Sequence, residues 1–79
     1  MHNNPATIEP LAVSVEDAAR LIGLSKTAFY AGLNNGQIGP QGKKIGGRRL
    51  FSVSELSAWT SAGMPHRKEW IELKNQGQG

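Results

Sequence analysis

Apolar side chains recur at helical spacing in two short blocks along residues 15–33, VEDAARLIGLSKTAFYAGL. Val15, Ala18, Ala19 and Ile22 stand at i, i+3, i+4 and i+7, which lays one buried stripe along a first helix. Ser14 opens that helix as its N-cap with Asp17 three residues on, and Glu16 and Asp17 suit the positive helix end. Gly23 stops it, because glycine turns left-handed at a helix C-cap without a Cβ penalty. Leu24 is expected to plug the interhelical corner, and Ser25 to cap a second helix. In that helix Phe29 and Leu33, one turn apart, point inward and rotate Thr27, Tyr30, Ala31 and Asn34 outward. Asn34, Asn35 and Gly36 end it. Two short helices joined by a Gly-Leu-Ser turn have the layout of a DNA-reading helix-turn-helix.

The pattern then changes. Residues 37–51 carry Pro40, Gly42, Gly46 and Gly47, too many breakers for a helix. Lys43-Lys44-Ile45 and Arg48-Arg49-Leu50-Phe51 flank Gly46-Gly47, a pair suited to the positive φ angles of a tight hairpin turn. Four cations are expected to cluster at the tip of this hairpin, within reach of a phosphate backbone or a minor groove. Ser52 with Glu55 forms a second capping box, opening a helix through about Ala62 with Gly63 as its stop and Val53, Leu56 and Trp59 as its buried stripe. Pro65 then starts a last helix, whose Trp70, Ile71 and Leu73 need cover. Trp59 and Trp70 read as core and lid. The ends, MHNNPATIEP and NQGQG, lack any periodicity and are expected to be mobile.

Charge sharpens this outline. Arg20, Lys26, Lys43, Lys44, Arg48 and Arg49 all fall between Ala18 and Ser54, a stretch without Asp or Glu, although the net charge of the chain is only +3. Segregation of this kind suits a polyanion on the central segment and a solvated remainder that includes Arg67, Lys68 and Lys74. The 79 residues suffice for one domain with a small core. Cysteine is absent, so packing alone must hold the fold, without disulfides or thiolate zinc. A signal peptide and a bilayer-spanning run are both missing from the pattern, so a cytoplasmic, nucleoid-associated protein of a prokaryote is expected, with no membrane contact.

Catalysis finds no foothold. His2 and His66 read as solvated residues; Ser14, Ser25 and Ser52 are committed to caps; GxSxG, GxxxxGK[ST] and GxGxxG loops are missing. The expectation is a non-enzymatic protein without metal or other cofactor.

The order of helix, Gly-Leu-Ser turn, helix, basic Gly-Gly-Arg-Arg hairpin and capped helix ending in Trp resembles the excisionase and AlpA-type small winged helix-turn-helix proteins, distant relatives of the MerR DNA-binding fold. The resemblance rests on DAARLIGLSKTAFY and KKIGGRRLFSVSELSAW. It implies a mainly α fold with a small β-hairpin wing, a winged helix-turn-helix over residues 12–63. Residues 1–11 would form a disordered arm, 64–74 a further helix packing on the domain or on a neighbour, and 75–79 a disordered tail. Ser25, Lys26, Thr27, Tyr30 and Asn34 would meet the major groove, and Lys43, Lys44, Gly46, Gly47, Arg48 and Arg49 would form the wing. The function implied is sequence-specific binding of double-stranded DNA by a recombination directionality factor of a mobile element or prophage. A tyrosine or serine integrase and cooperative self-association on DNA would be its protein contacts. An AlpA-type transcription regulator uses the same surface, and a basic protein-interaction module is the reading outside DNA. No dimerising coiled coil or effector domain follows the hairpin, so a ligand-sensing regulator is not expected.

Overall fold

The computed structural model describes residues 9–77. In chain order these form β1 (Ala12–Ser14), α1 (Val15–Leu21), α2 (Lys26–Asn35), β2 (Lys43–Ile45), β3 (Arg48–Ser52), α3 (Val53–Ser61) and α4 (Arg67–Gly77). The three strands make an antiparallel sheet in the order β1-β3-β2. This is the winged helix-turn-helix, mainly α with a small β wing.

Strand β1 has no counterpart in the sequence pattern, which left everything before Ala12 as an arm and began the helix at Ser14. Three residues are too few for alternation to register. Pairing creates the strand: Val13 lies opposite Phe51, and both are buried. Just ahead of it, the Leu11 carbonyl accepts from the Val53 amide at 2.9 Å, so the end of the expected arm is tied to the β3–α3 corner. The rest of that arm, residues 1–8, and the last two residues of the tail lie outside the described residues.

Helix caps fall where the side chains call for them. Ser14 Oγ accepts from Asp17 N at 3.4 Å, Ser25 Oγ from Ala28 N at 3.1 Å and Ser52 Oγ from Glu55 N at 3.1 Å. The α1 end is a Schellman motif: Gly23 N reaches Arg20 O at 3.2 Å and Leu24 N reaches Ala19 O at 2.9 Å, with Gly23 at φ +85°. These backbone bonds close the corner between α1 and α2. Leu24 itself keeps 39% of its surface exposed, so the plug expected there is only partial.

The core is built across this frame. Phe29 of α2 and Phe51 of β3 are both fully buried and meet edge to face, with centroids 5.2 Å apart and planes at 82°. Such a contact contributes about 0.5–1.5 kcal/mol beyond the area it buries, and here it sets the spacing between α2 and the hairpin. Ala18 and Ala19 bring α1 in close, while Leu33, Leu56 and Trp59 extend the cluster.

Helix α4 docks on its own domain. Trp70 is buried, worth roughly 1.5–3 kcal/mol for a large apolar side chain, whereas Ile71 and Leu73 each remain 43% exposed. The helix starts at Arg67 rather than at Pro65, because Gly63 and Met64, both at positive φ, and Pro65 first reverse the chain. That reversal aims the Pro65 carbonyl at Trp59 Nε1, 2.8 Å away. At its far end α4 runs on to Gly77, past the residue 74 limit expected for it, with Lys74 anchored on α3.

Two polar side chains hold α4 in unexpected ways. Arg67, grouped by sequence with the solvated cations, donates from its guanidinium to Leu33 O at 2.9 Å and Ile38 O at 3.0 Å, and its amide donates to Gly36 O at 2.9 Å. It thereby pins the connection that leaves α2. Glu55 does not close its capping box; its Oε2 accepts from Trp70 Nε1 and Lys74 Nζ, each at 2.9 Å. Burial pushes the Glu55 pKa up, but the bonds from Trp70 and Lys74 and the Lys74 charge outweigh it, leaving the group below its ordinary value.

Candidate nucleic-acid interface

Helix α2 presents Lys26, Thr27, Tyr30 and Asn34 on its exposed side, as the inward pointing of Phe29 and Leu33 requires. Ser25, one residue earlier, is exposed too, although its hydroxyl oxygen is occupied by the cap. The N-terminal end of α2 carries no acid in its first turn, so its free amides and Lys26 present only positive charge.

The hairpin turns at Gly46 and Gly47, with φ of +59° and +81°, as a two-residue turn of primed type needs. Its register pairs Ile45 with Arg48, Lys44 with Arg49 and Lys43 with Leu50. Next to a two-residue turn the closing pair exchanges both hydrogen bonds, which makes Lys44 and Arg49 the non-hydrogen-bonded pair, whose Cα atoms approach to about 4.5 Å. Two cations face each other there without a carboxylate between them.

Strand alternation also divides the wing. Arg49 shares a face with Phe51, two residues on, and so, with Lys44 opposite, turns toward the side where α2 packs. Lys43, Ile45 and Arg48 belong to the other face, and Ile45 is 57% exposed. The four cations, all within three residues of the turn, therefore start from two faces of the hairpin, Lys44 with Arg49 and Lys43 with Arg48, and Arg48 still borders the space next to α2 together with Arg49.

Between helix and hairpin lie two adjoining hollows. One is bordered by Ser14, Val15, Glu16, Lys26, Tyr30, Arg48 and Arg49; the other by Val15, Tyr30, Leu33, Asn34, Lys44, Gly47 and Arg49. Val15 borders both from below, and Tyr30 and Arg49 are the exposed side chains on the wall common to the two. The structure thus brings Lys26, Tyr30, Asn34, Lys44, Gly47, Arg48 and Arg49 together, while Ser25, Thr27, Lys43 and Gly46 are exposed but border neither hollow. It adds Val15, which sequence reasoning placed in the buried stripe of the first helix, and Ser14 and Glu16, which it assigned only to helix initiation. Knowledge of the Ser14 to Leu50 pairing would have brought them in, since it starts α1 beside the arginine end of β3.

A family profile described as a helix-turn-helix domain matches residues 12–64. The chain belongs to this family. Its members are small DNA-binding proteins of the excisionase and AlpA type, typically non-enzymatic, and this chain is a helix-turn-helix DNA-binding protein. No curated protein and no solved structure matches it significantly. The matched stretch ends before α4, so the helix supplying Trp70 and Arg67 lies outside the part the family defines. Among the described residues there is no cluster of three or more His, Cys, Asp or Glu placed to hold a metal ion, and no helix long and apolar enough to cross a membrane.

Proposed function

We propose that this helix-turn-helix protein is an architectural factor of the excisionase type, binding specific duplex DNA and shaping it so that an integrase can excise a mobile element. In this reading Lys26, Thr27, Tyr30 and Asn34 enter the major groove, with Ser25 on the flanking phosphate. Lys44 and Arg49, on the helix side of the hairpin, hold the adjacent backbone, and Lys43 and Arg48 follow the minor groove beyond it.

The observation that carries the reading is the common wall of Tyr30 and Arg49 between the two hollows. A reading helix and a cationic ribbon joined edge to edge can engage base edges and phosphate at once. A single module of this kind buries only about 600–1,000 Å² on DNA, a footprint that favours several copies on neighbouring sites and cooperative deformation of the duplex.

The test is a circular-permutation gel shift on the protein's selected binding site, followed by an excision assay with an integrase encoded beside it. Position-dependent mobility together with stimulated excision supports the architectural role. A straight complex that represses or activates a neighbouring promoter assigns the protein instead to the AlpA-type regulators, which would use the same surface.

A further inference from the structure

Glu16 is the one carboxylate bordering either hollow of the interface, where Lys26, Arg48 and Arg49 are its charged neighbours. The ion pairs among the described residues are Arg20 with Asp17 and Lys74 with Glu55, so the Glu16 carboxylate is not consumed by any of these cations. Its helix-end role is duplicated by Asp17 in the same turn. Asp17, however, is paired with Arg20 and borders a separate, largely apolar cleft with Pro10, Val13 and Leu21. Two acids one residue apart therefore have different surroundings, and only one faces the cationic surface.

An anion on a surface that receives phosphate weakens every contact that depends on charge alone. It is repaid where the duplex offers a hydrogen-bond donor, and in the major groove the exocyclic amine of cytosine is such a donor for a carboxylate. We propose that Glu16 is a specificity-determining residue of this DNA surface, accepting a hydrogen bond from a cytosine amino group and opposing binding where only phosphate lies in reach. The inference rests on the DNA-reading role of the α2 and hairpin face.

The experiment is selection of preferred sites from random duplexes, then titration of selected and random DNA at one salt concentration, for the wild type, Glu16→Gln and Asp17→Asn. Thermal unfolding of each variant checks that all three are folded. Glutamine keeps the size of the side chain but prefers adenine. The expected result is that Glu16→Gln binds random duplex more tightly, loses about tenfold in the ratio of selected to random binding, and moves one selected C·G pair toward A·T. Asp17→Asn should leave both the site and the ratio as they were. Selection of the same site at the same ratio by Glu16→Gln overturns the role of Glu16 while leaving the DNA-reading surface intact. If the wild type selects no site at all, the DNA-reading assignment falls, and this inference with it.

Discussion

Trp70 Nε1 donates to Glu55 Oε2 at 2.9 Å, and Lys74 Nζ reaches the same oxygen at 2.9 Å while lying 5.8 Å from the Trp70 ring centroid. One carboxylate on α3 therefore receives two donors from α4. It is held below its ordinary pKa despite partial burial, so the unfolded chain binds the proton more readily than the folded one. Stability from this contact is present above the ordinary carboxylate value and is lost as pH falls through the depressed one. Thermal unfolding followed from neutral pH into the acid range should show a fall in Tm beginning near 4.5. Glu55→Gln should reduce that acid-side slope, and an unchanged slope would place the acid sensitivity elsewhere.

The first three helices of this fold were legible because each carries its own punctuation, which α4 lacks. Ser14, Ser25 and Ser52 cap where local chemistry says they must, and Gly23 and Gly63 end helices through bonds within a few residues. What sequence could not supply were interactions between distant segments. Strand β1 exists only because Val13 meets Phe51, and the division of the wing cations follows from register across the hairpin. Arg67 looked like any exposed cation until the fold brought the carbonyls of Leu33 and Ile38 to its guanidinium. Ile38, inside a breaker-rich stretch, is buried to 3% exposure for the same long-range reason.

Arg67 yields a second prediction. Charge-assisted hydrogen bonds contribute about 1.5–3 kcal/mol each when a half-buried partner would otherwise be left bare. Arg67→Ala should destabilise the fold by roughly that amount in total, given some rehydration of the carbonyls, and Arg67→Lys should recover only part, since an ammonium lacks the planar fork. Urea unfolding would measure both. Equal stability of Arg67→Ala and wild type would mean that α4 is held by its other contacts, Trp70 and Lys74 on Glu55 among them, without the guanidinium.

Gly39 tests how tightly the two indoles close over the loop after α2. A Cβ built there would lie 2.7 Å from Trp59 Nε1 and 2.8 Å from Trp70 Cβ, closer than such atoms pack. Gly39→Ala must displace Trp70, and with it α4, at a cost of about 1–3 kcal/mol. Intrinsic tryptophan fluorescence should shift to the red as Trp70 gains water. A variant with wild-type emission and Tm would show that α4 can move aside without loss.

The Lys44–Arg49 pair makes opposite predictions for stability and for binding. Like charges directly opposite in a non-hydrogen-bonded pair destabilise a hairpin by about 0.2–1 kcal/mol, so Arg49→Thr should hold or raise Tm. If the pair grips phosphate, the same change should weaken binding to every duplex and reduce the magnitude of the log-log salt slope by about one. A variant that loses both stability and binding would identify Arg49 as structural.

The helix and the wing should separate in their effects on sequence preference. Thr27 and Tyr30 stand on the exposed side of α2, where base edges would lie, whereas Lys43 and Arg48 stand exposed on the hairpin, on the strand face opposite that of Lys44 and Arg49. Thr27→Ala and Tyr30→Phe should each relax discrimination at one or two base pairs, by about 1–3 kcal/mol per lost contact, while affinity for random duplex changes little. Lys43→Ala and Arg48→Ala should weaken selected and random DNA in equal proportion. Tyr30 is the sharper case, because it stands between both hollows and Tyr30→Phe removes only a hydroxyl. Competition titrations against selected and random duplexes at two salt concentrations give both quantities together. Identical losses on the two duplexes from all four variants would mean that the surface senses charge alone, and the reading role of α2 would have to be abandoned.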